Sequence, residues 1–144
     1  MERNEVVKEV EERDFETLFE LYRDVFNKDL DKKDYKKSFE KIKDRDIYIL
    51  GYYINDEIVG TVTVYILDIP TGKEAMIWDF LVEERYRRQG IGTKLMKEAE
   101  KLVREKMKKG KIWLFSRFSR LPAHELYRKL GYDENRDKAF VKIL

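Results

Sequence analysis

Val82-Glu83-Glu84-Arg85-Tyr86-Arg87-Arg88-Gln89-Gly90-Ile91-Gly92-Thr93 is the stretch whose reading decides the fold. An apolar run of Met76, Ile77, Trp78, Phe80, Leu81 and Val82 leads into it, and an amphipathic run from Gly90 to about Lys108 leads out. The order is strand, basic turn, helix. Glycines at a helix mouth let backbone approach a ligand, because no Cβ intervenes. The first N–H groups of the helix lack intrahelical partners. Together with the helix dipole they form an anion site suited to phosphate. Arg87 and Arg88 add positive charge beside it. Gly-x-Gly alone does not separate such a site from an ordinary strand-to-helix turn. Lys94 and Leu95 stand where a Rossmann or Walker pattern would place its third glycine.

Downstream, Ile91, Leu95, Ala99, Leu102 and Met107, with Met96 and Val103 beside them, mark the buried face of this helix, and Gly110 is expected to end it. Lys111–Ser116 reads as a strand. Strand, helix and strand joined this way predict a right-handed parallel crossover. A ligand then sits beyond the C-terminal ends of the two strands, which brings the glycine turn and Ser116–Ser119 to the same end of the sheet. Pro122 opens a short helix with Ala123, Leu126, Tyr127 and Leu130 on one face, and Gly131 stops it. Ala139–Leu144 reads as a last strand beside that of Trp113.

Upstream, Val6–Val10 is a short strand and Asp14 is the expected N-cap of a helix with Phe15, Leu18, Phe19, Tyr22, Val25 and Phe26 on one face. A second helix runs from Lys32 to Ile42 with the stripe Tyr35, Phe39, Ile42. Most of these aromatics are core, while Tyr22, Phe26 and Tyr35 are held as candidate substrate contacts. Ile47–Ile54, Ile58–Ile69 and Glu74–Val82, separated by turns at Asn55-Asp56-Glu57 and Pro70–Lys73, form an antiparallel meander. The expected architecture is α/β, a mixed and mostly antiparallel sheet with a central parallel β-α-β crossover and helices on both faces. One domain spans residues 1–144.

Composition narrows the function. The 31 Lys and Arg against 29 Asp and Glu leave a net charge of +2, too balanced for nucleic acid as the main partner. No run of about 18 apolar residues exists, so no membrane span is expected. The N-terminus lacks an apolar signal core, which points to the cytoplasm. With no Cys, disulfides, cysteine nucleophiles and thiolate metal sites are excluded, and the single His124 argues against a His-based metal site. The Lys- and Glu-rich surface suits a thermophile or an idealised sequence equally.

Arg87-Arg88-Gln89-Gly90-Ile91-Gly92 fits the Gln/Arg-x-x-Gly-x-Gly/Ala signature of the GNAT superfamily of N-acetyltransferases, and the chain resembles that superfamily over nearly its whole length. Ala123-His124-Glu125-Leu126-Tyr127-Arg128-Lys129-Leu130-Gly131-Tyr132 is similar to its second signature, Ala-x-x-Leu/Phe-Tyr-x-x-x-Gly-Phe/Tyr. The resemblance implies an acyl-CoA N-acyltransferase fold and acetyl-CoA as co-substrate. It implies direct acetyl transfer to a small-molecule or protein amine, by a monomer or homodimer. Cofactor contacts carry over to Phe80, Leu81, Val82, Arg87, Arg88, Gln89, Gly90, Ile91, Gly92 and Thr93, with an oxyanion donor near Leu81 or Val82. Tyr127 takes the place of the acid that protonates the leaving thiolate. Where relatives carry Asn three residues before the motif's Ala, this chain has Arg120, which can meet phosphate or a cofactor hydroxyl. Where relatives often carry a basic Glu, it has Trp78, so the base falls to the adjacent Asp79. Side chains alternate along a strand, so Asp79 needs a bulge to re-aim it. Glu74, Glu83 and a water relay are the other options. Trp78 and Ser116 join Tyr22 and Phe26 as acceptor-side candidates. A non-catalytic coenzyme A-binding sensor, or a degenerate or redesigned scaffold, is the alternative that Trp78 favours.

Overall fold

A computed structural model describes residues 2–144. Its strands are β1 (Glu5–Glu9), β2 (Ile47–Ile54), β3 (Glu57–Ile69), β4 (Gly72–Val82) and β5 (Ile112–Leu114). Its helices are α1 (Phe15–Val25), α2 (Lys32–Ile42), α3 (Ile91–Met107) and α4 (Leu121–Lys129). The strands lie side by side in chain order, with β1 to β4 antiparallel and β4 to β5 parallel. The parallel pair is joined through α3, as the strand-turn-helix pattern predicts.

Both faces of the sheet are covered, which is why β2 and β3 are buried almost continuously instead of alternating. One face packs Leu50, Tyr52, Ile54, Val62, Val64, Ala75 and Ile77 against the α3 stripe of Ile91, Leu95, Met96, Ala99 and Val103, with Leu126 of α4 and the following Leu130 alongside. The other packs Tyr53 and Ile58 against Leu18 and Phe19 of α1 and Tyr35 of α2. The β2–β3 hairpin turns through Asn55 and Asp56, both at positive φ, the pattern of a two-residue primed turn. Among the described residues no helix is long and apolar enough to cross a membrane.

Three local expectations are corrected. Asp14 precedes α1 but makes no capping bond to it. Its buried carboxylate instead accepts from the Glu11 N–H at 3.0 Å and the Tyr53 hydroxyl at 2.5 Å, tying α1's entry to the sheet. The long central helix ends at Met107, with Lys108 at φ +64° turning the chain two residues before Gly110. The strand expected over Ala139–Leu144 does not form, and Phe140 is 86% exposed. β5 offers an edge of only three residues. The arm's apolar residues, Ala139-Phe140-Val141 and Ile143-Leu144, do not alternate, so no register is favoured.

Candidate active site

β4 and β5 are paired only at Ala75–Ile112, Met76–Trp113 and Ile77–Leu114. Beyond Ile77, β4 runs on to Val82 against β3 while β5 has ended. Residues 78–82 therefore present a free backbone edge into a cleft at the C-terminal ends of the two parallel strands. The Glu83 N–H bonds to the Val59 carbonyl at 2.8 Å. Alternation along an antiparallel ladder then turns the N–H of Leu81 toward β3 and that of Val82 into the cleft. Of the two expected oxyanion donors, Val82 is the one that faces the opening. The carbonyls on this edge are occupied by arginines. Arg87 Nε donates to the Val82 oxygen at 2.9 Å, and the Arg120 guanidinium donates to the Phe80 oxygen at 3.3 Å.

At the cleft's rim, Gly90 is the N-cap of α3 with φ +80°, the left-handed region glycine enters without cost. A Cβ there would meet no atom within 4 Å, so the demand for glycine is conformational. Gly92 is different: a Cβ would lie 3.0 Å from Phe80 Cζ and 3.3 Å from Leu126 Cδ2. Its role is close packing of α3 against β4 and α4. The first turn of α3 holds no acidic residue, and Arg87, Arg88 and Gln89 are exposed just before it. Unpaired N–H groups, a dipole and two guanidinium-bearing neighbours fit the pyrophosphate of coenzyme A. The free β4 edge fits the amide-bearing arm of the same molecule.

A bulge occupies β4 where the chemistry is expected. Thr61 and Thr63 of β3 are two residues apart, while their partners Leu81 and Trp78 are three apart. The extra residue forces Asp79 to φ +51°, and it re-aims the side chain toward α1 and α2. Asp79 lines a cavity of about 280 Å³ there with Tyr22, Phe26, Tyr35, Thr63 and Tyr65. Partial desolvation holds its carboxyl above the usual carboxylate range although it still reaches solvent. Tyr22 faces it, with its hydroxyl pushed up to about 12 first by burial and then by the Asp79 charge. The competing carboxylates are committed elsewhere: Glu74 accepts from the Trp113 indole and Lys111, and Glu83 pairs with Arg85.

Phe80, the next residue, turns to the α3 face, where its ring lies 6.1 Å from that of Tyr127. Tyr127 is 8% exposed, and burial raises its phenol while the charge of Arg120 lowers it. Among the described residues its hydroxyl bonds to no protein group and no buried polar side-chain atom is left without a partner. The hydroxyl is thus unsealed and uncommitted. Arg120 is held by protein groups at the cleft. It spans from the start of α4 to β4 and lies over the Phe26 ring at 5.4 Å.

Of the acceptor-side candidates, Tyr22 and Phe26 line the cavity, but Trp78 and Ser116 do not. Trp78 is 44% exposed and packs on Phe115 where β4 and β5 part, with ring centroids 5.9 Å apart. Ser116 lies 3.1 Å from His124 Nε2 at the end of β5. Asn27, Asp34, Ser38, Thr63 and Tyr65 also line the cavity and went unread in the sequence. One signal was available: Thr63 is a polar residue within the apolar run Val62–Leu67 of β3.

Comparison with known proteins follows the same lines. A family model described as acetyltransferase (GNAT) family matches residues 15–132. An N-alpha-acetyltransferase from Sulfurisphaera tokodaii is 31% identical over 113 residues, covering 73% of this chain and 64% of that protein. The match thus spans less than two thirds of the relative's length. Among solved structures, a transcriptional regulator from Bacillus halodurans superposes with TM-score 0.84 at 24% identity, over 97% of this chain and 100% of that one. A predicted acetyltransferase with acetyl-CoA from Clostridium acetobutylicum gives TM-score 0.78 at 18% identity, over 96% of each chain. At these identities the structural matches speak to the fold alone.

Proposed function

Because the chain belongs to the acetyltransferase (GNAT) family, we propose that it moves an acetyl group from acetyl-CoA to a primary amine by direct attack, as a single domain over residues 1–144. One observation carries this reading. The bulged stretch of β4, free on its β5 side, presents Asp79 on one face of the sheet and Phe80 against Tyr127 on the other. The Val82 N–H points into the cleft between them.

Asp79 acts as base and removes a proton from the acceptor ammonium. A carboxylate raised above its ordinary range is better matched to that task than a fully solvated one. The amine nitrogen bonds to the thioester carbonyl carbon, and the Val82 N–H meets the negative charge that develops on oxygen. The C–S bond breaks, and Tyr127 gives its hydroxyl proton to a thiolate whose ordinary pKa is about 8.5. Burial keeps the phenol protonated at neutral pH, so the proton is present when needed. Phe80, Leu81 and Val82 hold the cofactor arm. The turn from Arg87 to Thr93 holds the pyrophosphate.

The test is thiol release from acetyl-CoA over a broad amine panel. Turnover of at least one amine class supports the reading. Retained coenzyme A binding with no turnover of any amine would replace it with the non-catalytic binder. The Sulfurisphaera tokodaii relative favours a second acceptor, the α-amine of a peptide N-terminus, and short peptides belong in the panel.

A further inference from the structure

The cavity beside Asp79 has walls that select an acceptor. Tyr22 of α1, Phe26 just beyond it, Tyr35 and Phe39 of α2, and Tyr65 of β3 surround it with aromatic rings. Such rings accept methylene groups through their faces and attract ammonium groups through the same faces. Two carboxylates open onto this space, Asp79 from the sheet wall and Asp34 from the helix wall. Among the described residues no Lys, Arg or His lines it, and neither Asp34 nor Asp79 takes part in an ion pair. Arg120 lies over the Phe26 ring but is tied to the Phe80 carbonyl on the cleft side. Asp34 is exposed in the first turn of α2, where Asp31 already supplies the N-cap by accepting from the Asp34 N–H at 3.1 Å. The Asp34 carboxylate is therefore not needed to cap the helix.

We infer that the acceptor is a short, unbranched dication, an α,ω-diamine or a close analogue, with one nitrogen at Asp79 and the other held by Asp34. This rests on the acetyl-transfer reading above. Volume suits a small molecule: about 280 Å³ lies near the lower end of ligand pockets, roughly 300–1,000 Å³. Charge argues against free amino acids, whose carboxylate would meet two like charges and no cation. A monoamine engages Asp79 alone, whereas a diamine pairs both carboxylates. The reaction balances in this pose. The ammonium at Asp79 loses its proton, the C–N bond forms as the C–S bond breaks, the thiolate takes the Tyr127 proton, and solvent restores the phenol. The product keeps one cation instead of two, which loosens its hold on the site.

Steady-state thiol release with 1,5-diaminopentane, pentylamine, lysine, a short peptide and an aminoglycoside tests this. We expect kcat/KM for the diamine to exceed that for pentylamine by tenfold or more, with the difference mainly in KM. Asp34→Asn should narrow that ratio to below threefold, and Asp34→Lys should invert it. Both changes fall on an exposed first-turn position, and circular dichroism confirms folding. Equal kcat/KM for diamine and monoamine, or preference for the peptide or aminoglycoside, overturns the dication while leaving acetyl transfer standing. No turnover of any amine overturns both.

Discussion

Replacing Tyr127 by Phe removes one oxygen from a site where two roles predict opposite outcomes. The ring packs against Phe80 and Tyr132, each at 6.1 Å between centroids, and Phe preserves both contacts. The hydroxyl bonds to no protein group among the described residues, so no hydrogen bond is lost with it. A structural tyrosine with a buried bond would lose about 1 kcal/mol. Here the change should stay within about 0.5 kcal/mol, and the melting temperature should hardly move. Affinity for coenzyme A should also hold, since the change removes no charge and no contact to the glycine turn. Turnover should fall by about 10²- to 10⁴-fold, the contribution of a positioned general acid. At about 1.36 kcal/mol per decade, that is roughly 3 to 5 kcal/mol of transition-state stabilisation. Thermal unfolding, calorimetry with coenzyme A and thiol release on one preparation give all three numbers. Full turnover in the folded Phe variant would refute the acid role. Lowered stability with unchanged turnover per folded molecule would return Tyr127 to the core.

Asp79→Asn should depress turnover at least tenfold and flatten the rising limb of the pH–rate profile, whose midpoint lies above the ordinary carboxylate range. The same change should raise the melting temperature at pH 7. A carboxyl whose folded pKa is raised stabilises the fold only while protonated, and that contribution is lost as pH rises through the folded pKa. Asn carries no charge and tolerates the φ of +51°. The gain should vanish below the ordinary carboxylate pKa, and its persistence there would remove desolvation as the cause. Gly92→Val should cost about 1 to 3 kcal/mol by crowding Phe80 and Leu126, and should weaken acetyl-CoA binding tenfold or more, about 1.4 kcal/mol. Unchanged calorimetric affinity in the folded variant would detach this turn from the cofactor. Arg88→Ala should leave stability unchanged and weaken acetyl-CoA binding more at low salt than at high, because exposed charges are screened. A salt-independent loss would point to a contact other than the phosphates.

Short-range sequence patterns determine much of this molecule. Apolar spacing over Lys32–Ile42 gives α2, and the run of Ile and Tyr over Ile47–Ile54 gives β2, because helical period and β-propensity are local properties of the chain. The proposed anion site at the Arg87–Gly92 turn is legible in sequence because φ freedom, unpaired N–H groups and charge all reside within six residues. Tertiary structure decided what depends on counting across strands. The bulge that aims Asp79 exists because β4 carries one residue more than β3 between two pairs, and nothing within β4 alone reveals that mismatch. Asp14 has the residue type of a helix cap, yet Tyr53, 39 residues away, claims its carboxylate. The cavity joins Tyr22, Asp34, Thr63 and Asp79 from four separate elements, so no spacing could register it. Ala139–Leu144 has the composition of a strand but finds no edge long enough to pair with. Composition sets the propensity to extend, and only a partner strand at hydrogen-bonding distance turns extension into sheet.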